Sequence, residues 1–283
     1  MDSIELLHTI ARKYCMVKSK FWSRKYSRLI NGGKDRLADG DYSHEAKKLF
    51  PRYIVLNAIL PEVERYEPKH FSTIEDAKNT ILYVIHNAQS LLTQNEEDIV
   101  CQRTMKEERV AFSTYVDNLC VEVLGGLRHV KALFYRRTLS TKEKSAVWRD
   151  LKNNWGIDDY WYPLSDSKPA DVEAFMEDYF ESEVGYPVLR EILKKHNIEK
   201  VFELREFSSS PEYEIDVNNF RPTYNINGEG YWCSKEMDWV VYASHENSIT
   251  IGGDWLIKEI RKVWLNWEER CWLDWKERIK RGI

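Results

Sequence analysis

The stretch that decides the fold lies at residues 230–253, GYWCSKEMDWVVYASHENSITIGG. It contains three short runs rich in aromatic and β-branched residues, at 230–233, 239–244 and 248–251, and polar residues separate them. This spacing predicts consecutive antiparallel strands joined by short turns. Two similar runs, at 201–207 and 213–217, lie before it, so the sequence predicts a small antiparallel sheet in the C-terminal half.

A long tryptophan-rich helix is predicted to follow this stretch. Six apolar residues recur there at steps of three or four, which is the helical period: Leu256, Ile260, Val263, Trp267, Cys271 and Trp275. We expect this stripe to be buried, because a soluble protein does not leave so broad an apolar face in water. Trp272 faces away from the stripe and Trp264 lies at its edge, so both are candidate contact residues for a partner.

The N-terminal half is predicted to be helical. Apolar residues recur at helical intervals over four segments, and Gly-Gly pairs at 32–33 and 125–126 follow the first and the last of them. Pro51 and Pro61 predict a kink or a division in the second helix. We therefore expect residues 1–124 to form a bundle-like helical domain without β-strands.

Residues 127–283 are predicted to form a second domain that mixes helices with the sheet. Ser140 and Glu143 make a capping box at the start of one helix, and Pro169 and Pro187 are predicted to be the first residues of two more. The predicted fold class is α+β, mostly helical, with an N-terminal helical bundle-like unit followed by a mixed α/β unit that has a small antiparallel sheet and a long Trp-rich C-terminal helix.

Composition excludes several classes of protein. Hydrophobic residues at 43% and charged residues at 31% are typical of a globular chain, and no apolar run approaches the roughly 20 residues that a membrane span needs. The first residues, MDSIE, lack the basic and apolar regions of a secretion signal. The five cysteines are widely spaced and form no CxxC pair, which favours a reducing, cytoplasmic location.

No recognised motif for a metal or a cofactor stands in the chain, and we expect neither. The histidines are scattered singly, without an HExxH or His-x-His pattern, and the two Gly-Gly pairs lack the framework of a phosphate-binding loop.

One polar turn, Ser244-His245-Glu246, is a weak candidate for catalysis. His245 could act as a general base if Asp238, Glu229 or Asp254 lay close to it, and Glu246 is its neighbour in sequence. Strand alternation would place His245 on the face opposite to that of Glu246. The competing interpretation is a hydrogen-bonded structural histidine at the end of a strand.

Charge is unevenly distributed along the chain. Residues 158–183 hold nine acids against the single Lys168. Within this segment Asp171, Glu173, Glu177 and Asp178 are candidate binding residues for a partner protein with a basic surface. The alternative is that acidic and basic patches face each other within the chain, or only keep it in solution.

The first helix is basic and contains aromatic residues among its cations. Lys18, Lys20, Arg24 and Lys25 are the candidate residues for contact with nucleic acid, since cations bind phosphates and aromatic rings stack on bases. The net charge of −4 and the acidic segment count against this interpretation.

Taken together, these features predict a non-enzymatic cytosolic protein that binds another macromolecule through its acidic segment and its Trp-rich end. The segments 231–233 and 238–250 resemble bacterial proteins of the immunity or defence type over less than a tenth of the chain, which establishes no family. Two alternatives remain, a nucleic-acid-binding protein that uses the basic first helix and an unfamiliar hydrolase centred on His245.

Overall fold

The computed structural model describes residues 1–127, 129–158, 161–165, 168–225, 228–273 and 279–280. The chain divides into two compact units, Met1–Leu133 and Phe134–Ile283. The fold is α+β and mostly helical, as predicted, with helices in the first unit and a sheet with flanking helices in the second. The first unit extends past residue 124 because Leu127 and Val130 pack against its hydrophobic core.

The first unit is a helical assembly around one main core. Its elements are α1 (Ser3–Asn31), α2 (His44–Glu64), a 3-10 helix (Pro68–His70), α3 (Ile74–Asn87), α4 (Leu91–Gln94), α5 (Ile99–Asp117) and α6 (Val121–Gly126). The core includes the fully buried side chains of Leu7, Leu56, Ile59, Ile85 and Phe112. Among the described residues up to 124 there is no strand, only an isolated bridge between Arg36 and Tyr42, which confirms the prediction.

Two helix boundaries in the first unit differ from the prediction. Helix α2 continues through both Pro51 and Pro61, so of the two predicted outcomes, a kink or a division, the division does not occur. Its apolar side is buried in the core, and that packing outweighs the backbone hydrogen bonds that the two prolines cannot make. The predicted fourth helix begins later than expected, because Asp98 rather than Asn95 caps it, and it is divided at Asn118 into α5 and α6.

The second unit is built on one antiparallel sheet. Its elements are β1 (Arg136–Thr138), α7 (Thr141–Trp155), β2 (Val172–Met176), α8 (Glu177–Tyr179) with a π-helical turn (Phe180–Val184), α9 (Gly185–Lys195), β3 (Lys200–Arg205), β4 (Tyr213–Asp216), a 3-10 helix (Val217–Asn219), β5 (Gly230–Cys233), β6 (Val240–Ser244), β7 (Ser248–Gly252), α10 (Asp254–Val263) and a 3-10 helix (Trp267–Arg270). The strand order is β1-β4-β3-β5-β6-β7-β2, and every neighbouring pair is antiparallel.

Both faces of this sheet are covered. Residues of α9 and α10 pack on one face, where Trp232, Trp239 and Val241 are fully buried. Residues of α7 pack on the other face, against Tyr231 and Tyr242. The cover is complete at the three strands β5, β6 and β7, which are buried at every position, including the hydroxyl-bearing residues of β7.

Strand β2 replaces part of a helix that the sequence predicts. Pro169 was expected to begin a helix that ends near Val184, but residues Val172–Met176 pair with β7 along its whole length. The run Val-Glu-Ala-Phe-Met is locally compatible with a helix or a strand. The strand forms because the backbone N–H and C=O groups at the buried edge of β7 would otherwise lack hydrogen-bond partners.

The last helix is shorter than predicted. Helix α10 ends at Val263, and Trp264 leaves the helical conformation with φ −122° and ψ 86°. Leu256 and Ile260 are buried as expected, whereas Val263 is 54% exposed. Trp267 and Cys271 are partly buried and lie in a 3-10 helix and in an extended segment, respectively. Trp275 lies outside the described residues.

Candidate functional site

The turn between β6 and β7 is held in a defined conformation. Ser244 and Ser248 face each other across the strand pair, and their hydroxyl oxygens lie 2.6 Å apart. The Ser244 hydroxyl also accepts a hydrogen bond of 3.2 Å from the backbone N–H of Glu246. Asn247 adopts the left-handed conformation at φ 56°, which asparagine tolerates better than most residues. His245 and Glu246 are therefore presented on a rigid support.

His245 is paired with a buried carboxylate. The Nδ1 atom of His245 lies 2.6 Å from Oε1 of Glu229, whose side chain is only 1% exposed, while the His245 side chain is 51% exposed. A carboxylate accepts hydrogen bonds, so Nδ1 carries the proton in this contact. Nε2 lies 3.5 Å from Oε1 of Glu246. This arrangement orients the imidazole in the way that a buried acid orients a catalytic or a structural histidine.

Glu229 is itself held by its surroundings. The Tyr242 hydroxyl donates a hydrogen bond to Oε2 of Glu229, and the backbone N–H of Glu229 donates to Oε2 of Glu206 over 3.1 Å. Burial raises the pKa of the Tyr242 hydroxyl, with smaller contributions from Tyr231 and Glu229, so this hydroxyl stays protonated and continues to donate. The role of Tyr242 does not follow from the sequence, because strand alternation places it on the face opposite to His245. His245 lies in the turn, where that alternation no longer applies.

Asp238 and Asp254 are not partners of His245. Asp238 precedes β6 and is seven residues from His245, about 20 Å along an extended chain. Its carboxylate accepts hydrogen bonds from the Ser234 hydroxyl at 2.7 Å and from the Trp255 indole at 2.9 Å. Strand β7 returns antiparallel to β6, so Asp254 also lies near the far end. Of the three predicted partners, only Glu229 contacts His245.

The end of β2 brings two predicted acidic residues to the same turn. The backbone N–H of Glu177 donates to the carbonyl of Asn247 over 3.0 Å, and the Asn247 amide donates to Oδ2 of Asp178 over 3.0 Å. The Tyr186 hydroxyl donates to Oε1 of Glu177 over 3.3 Å. Burial raises the pKa of the Glu177 carboxyl from 4.5 to about 7, and the nearby Glu181 carboxylate adds to this effect.

The other two predicted acidic residues lie elsewhere. Asp171 precedes β2, and its carbonyl accepts a hydrogen bond of 2.9 Å from the N–H of Gly253, at the opposite end of the sheet from His245. Glu173 lies between two cations, 2.7 Å from Lys168 and 2.9 Å from Arg261. Its charge is therefore compensated within the chain.

The two tryptophans predicted as contact residues differ in their surroundings. Trp264 is 4% exposed, packs against Phe175 with ring centroids 5.1 Å apart, and donates its indole N–H to Glu183 over 2.7 Å. Its predicted exposure was wrong, because the helix ends here and turns this ring into the core. Trp272 is partly buried and donates its indole N–H to the carbonyl of Glu246 over 3.3 Å. Its backbone N–H donates to Ala174 in β2 over 2.8 Å.

These contacts define one surface, which we call the hairpin surface. It consists of five residues from three separate parts of the sequence: Glu177, Asp178, His245, Glu246 and Trp272. Sequence analysis named each of them but did not place them together, because their proximity depends on the pairing of β2 with β7.

The basic candidates lie in the first unit. Lys18, Lys20, Arg24 and Lys25 are exposed on α1. The Nζ atoms of Lys18 and Lys25 lie 5.9 Å and 4.6 Å from the centroid of the Phe21 ring.

The described residues contain neither a metal-binding group of side chains nor a helix suited to cross a membrane. No group of three or more His, Cys, Asp or Glu side chains is arranged to hold a metal ion. No helix in that part of the chain combines the length and the apolar character that a membrane crossing requires.

Comparisons of the chain with protein-family models, with curated proteins and with solved structures gave no match.

Proposed function

We propose that this protein binds another protein with a basic surface, through the hairpin surface of its second unit. The observation that supports this most is an imbalance of charge. In the part of the chain that the structure describes, neither Glu177 nor Asp178 has a Lys or Arg side chain within 4.0 Å. Two acidic side chains thus lie side by side without compensation by an ion pair.

Three other acidic residues of the segment are paired with cations. Glu173 is paired with Lys168 and Arg261, Glu181 lies 3.3 Å from Arg221, and Glu183 lies 2.9 Å from Arg270. From Glu173 to Glu183, the acidic side chains without such an ion pair are therefore the two at the end of β2, beside the turn that presents His245 and Glu246. A partner that places Lys or Arg side chains there would complete the charge balance.

Glu177 adds a thermodynamic argument. Its carboxyl is costly to ionise in the folded protein, as its raised pKa shows. A cation bound nearby would stabilise the ionised form of Glu177 and offset the free energy lost through burial. A basic partner should therefore gain more binding free energy here than from a fully exposed carboxylate.

Trp272 supplies an aromatic side chain at the edge of the same surface. Its indole N–H is already engaged by the carbonyl of Glu246, so the ring is held in place before binding. A held aromatic side chain loses little conformational entropy on binding, which is why such residues are frequent in interface centres.

A charge-graded peptide array tests the proposal. Peptides of equal length with increasing Lys and Arg content are probed with the full-length protein, and the tightest peptide is then titrated by calorimetry. We expect the double variant Glu177→Gln, Asp178→Asn to bind about ten-fold more weakly, or about 1.4 kcal/mol. The control variant Glu75→Gln, Glu97→Gln removes the same charge from exposed positions of the first unit. Equal weakening by both variants would contradict the proposal.

Acid–base catalysis at His245 is a second candidate function, favoured by the 2.6 Å contact with the buried Glu229. A panel of chromogenic carboxyl and phosphoryl esters tests it with the wild-type protein and with His245→Asn. A general base contributes about 100-fold or more to the rate, so the variant should lose that factor. Equal rates for the two proteins, no faster than in buffer, would refute this candidate.

A further inference from the structure

The exposed side of α1 presents two parallel rows of side chains. Lys20, Arg24 and Arg28 follow one another at steps of four residues, and Lys18, Phe21 and Lys25 at steps of three and four. At 100° per residue the five cations lie within a sector of about 160°, and they extend over about 15 Å of helix. We call these five residues the basic face. All of them are exposed.

The charges of the basic face are not compensated within the described residues. None of the five has an Asp or Glu oxygen within 4.0 Å in that part of the chain, and α1 contains no acid after Glu5. Neighbouring cations of the same unit do have partners, since Arg12 lies 2.9 Å from Glu64 and Arg52 lies 2.8 Å from Glu107. Like charges four residues apart also destabilise a helix slightly, so the spacing of these cations lowers the stability of α1.

Aromatic rings lie among these cations. Phe21 is 44% exposed and stands between Lys18 and Lys25 in its row. Trp22 meets Phe21 edge to face, with ring centroids 4.8 Å apart. An exposed ring flanked by cations is the arrangement on which proteins stack unpaired bases while they neutralise the adjoining phosphates.

The structure weakens the two arguments against a polyanion that the sequence suggests. The net charge of −4 is unevenly divided, because residues 1–133 contain 20 Lys and Arg against 18 Asp and Glu, a net charge of +2. Much of the acidic segment is paired within the second unit, as shown for Glu173, Glu181 and Glu183. Paired charges have little effect beyond the screening length of about 8 Å at physiological salt.

We propose that the basic face of α1 binds single-stranded nucleic acid. The five cations contact consecutive phosphates, and Phe21 stacks on a base. The binding depends on backbone charge and on an unpaired base rather than on sequence, because exposed cations neutralise any phosphate and an aromatic ring stacks on any base.

Fluorescence anisotropy with the full-length protein tests this proposal. Labelled 20-nucleotide oligo(U) and oligo(dT) are titrated at several salt concentrations between 50 and 200 mM. Five phosphate contacts predict that the logarithm of the association constant falls with the logarithm of the salt concentration with a slope of about −3.5. The variant Lys18→Gln, Lys20→Gln, Arg24→Gln, Lys25→Gln keeps one of the five cations, so its slope should approach about −0.7.

A matched control separates this face from charge in general. Four exposed lysines elsewhere are replaced together: Lys106→Gln, Lys142→Gln, Lys195→Gln and Lys235→Gln. We expect this control to keep the wild-type slope. Phe21→Ala should weaken binding by about 5- to 150-fold while leaving the slope unchanged, because stacking does not release counterions. All these side chains are exposed or half-exposed, and unchanged circular dichroism and melting temperature confirm that each variant folds.

Three results would overturn the proposal. The first is no binding of either oligonucleotide, or an identical salt slope for the wild-type protein and the α1 variant. The second is binding to a duplex as tight as to the single strand, which would exclude stacking on an unpaired base. The third is binding to vesicles of anionic phosphatidylserine and phosphatidylcholine without binding to the oligonucleotides, which would make α1 a membrane-contacting helix.

Discussion

Replacing Glu177 by Gln should make the second unit more stable at alkaline pH and leave it unchanged at acidic pH. The folded protein raises the pKa of this carboxyl from 4.5 to about 7, mainly through burial. Well below pH 4.5 the carboxyl is protonated in both the folded and the unfolded chain, so its burial imposes no cost of ionisation. Between 4.5 and 7 the unfolded chain ionises while the folded chain does not, and stability falls as the pH rises.

The magnitude follows from the same two values. The difference between 4.5 and about 7 corresponds to at most about 3 kcal/mol, and partial solvent screening reduces it to about 1–2 kcal/mol. The glutamine side chain keeps an oxygen that can accept the hydrogen bond from Tyr186, so the substitution removes the charge and little else. Wild-type and variant proteins should therefore have equal stability well below pH 4.5, and the variant should be more stable by this amount at about pH 8.

Urea unfolding followed by tryptophan fluorescence measures this difference. Of the eleven tryptophans only Trp22 lies in the first unit, so the signal reports chiefly on the second. Glu236→Gln is a suitable control, because Glu236 is an exposed glutamate of the same unit and lies outside the surroundings that shift the pKa of Glu177. Parallel pH profiles for the wild-type protein and Glu177→Gln would refute the conclusion that Glu177 is costly to ionise.

Two further predictions concern stability and use the same unfolding assay. Trp264→Ala should lower the free energy of unfolding by about 3–5 kcal/mol, as expected for a buried large aromatic residue, whereas Trp272→Ala should lower it clearly less. Similar losses for the two variants would contradict the different burial of the two rings. Tyr242→Phe should cost about 1–3 kcal/mol because it leaves an oxygen of the buried Glu229 without its donor, and Tyr224→Phe, at a 46% exposed residue, should cost little.

Much of the sheet could be predicted from the sequence because local pattern and final structure agree there. The runs that became β3 to β7 combine β-forming residues with polar turns, so the existence of these strands follows from residues close together in sequence. The contact of His245 with Glu229 is also implicit in that pattern. Once Gly230 pairs with Ala243, Glu229 comes opposite Ser244 and one residue away from His245, although the hydrogen bond itself requires the structure.

The errors arise where distant parts of the chain decide the local structure. Strand β2 forms because the edge of β7 needs a partner, and residues 172–176 alone do not show this. The periodic spacing after Val263 suggested a longer helix, but Trp264 fills a space between Phe175 and Phe180 and the helix ends there. The charge of the acidic segment was also overestimated, because ion pairs with residues 40 to 88 positions away could not be foreseen.

The measurement that tests the central claim most directly is the affinity of the full-length protein for the tightest basic peptide of the array, determined by calorimetry for three proteins under the same conditions. The account predicts that Glu177→Gln, Asp178→Asn weakens binding about ten-fold, while the equally charged control Glu75→Gln, Glu97→Gln binds like the wild-type protein. The same dissociation constant for all three proteins would show that the hairpin surface does not bind a basic partner.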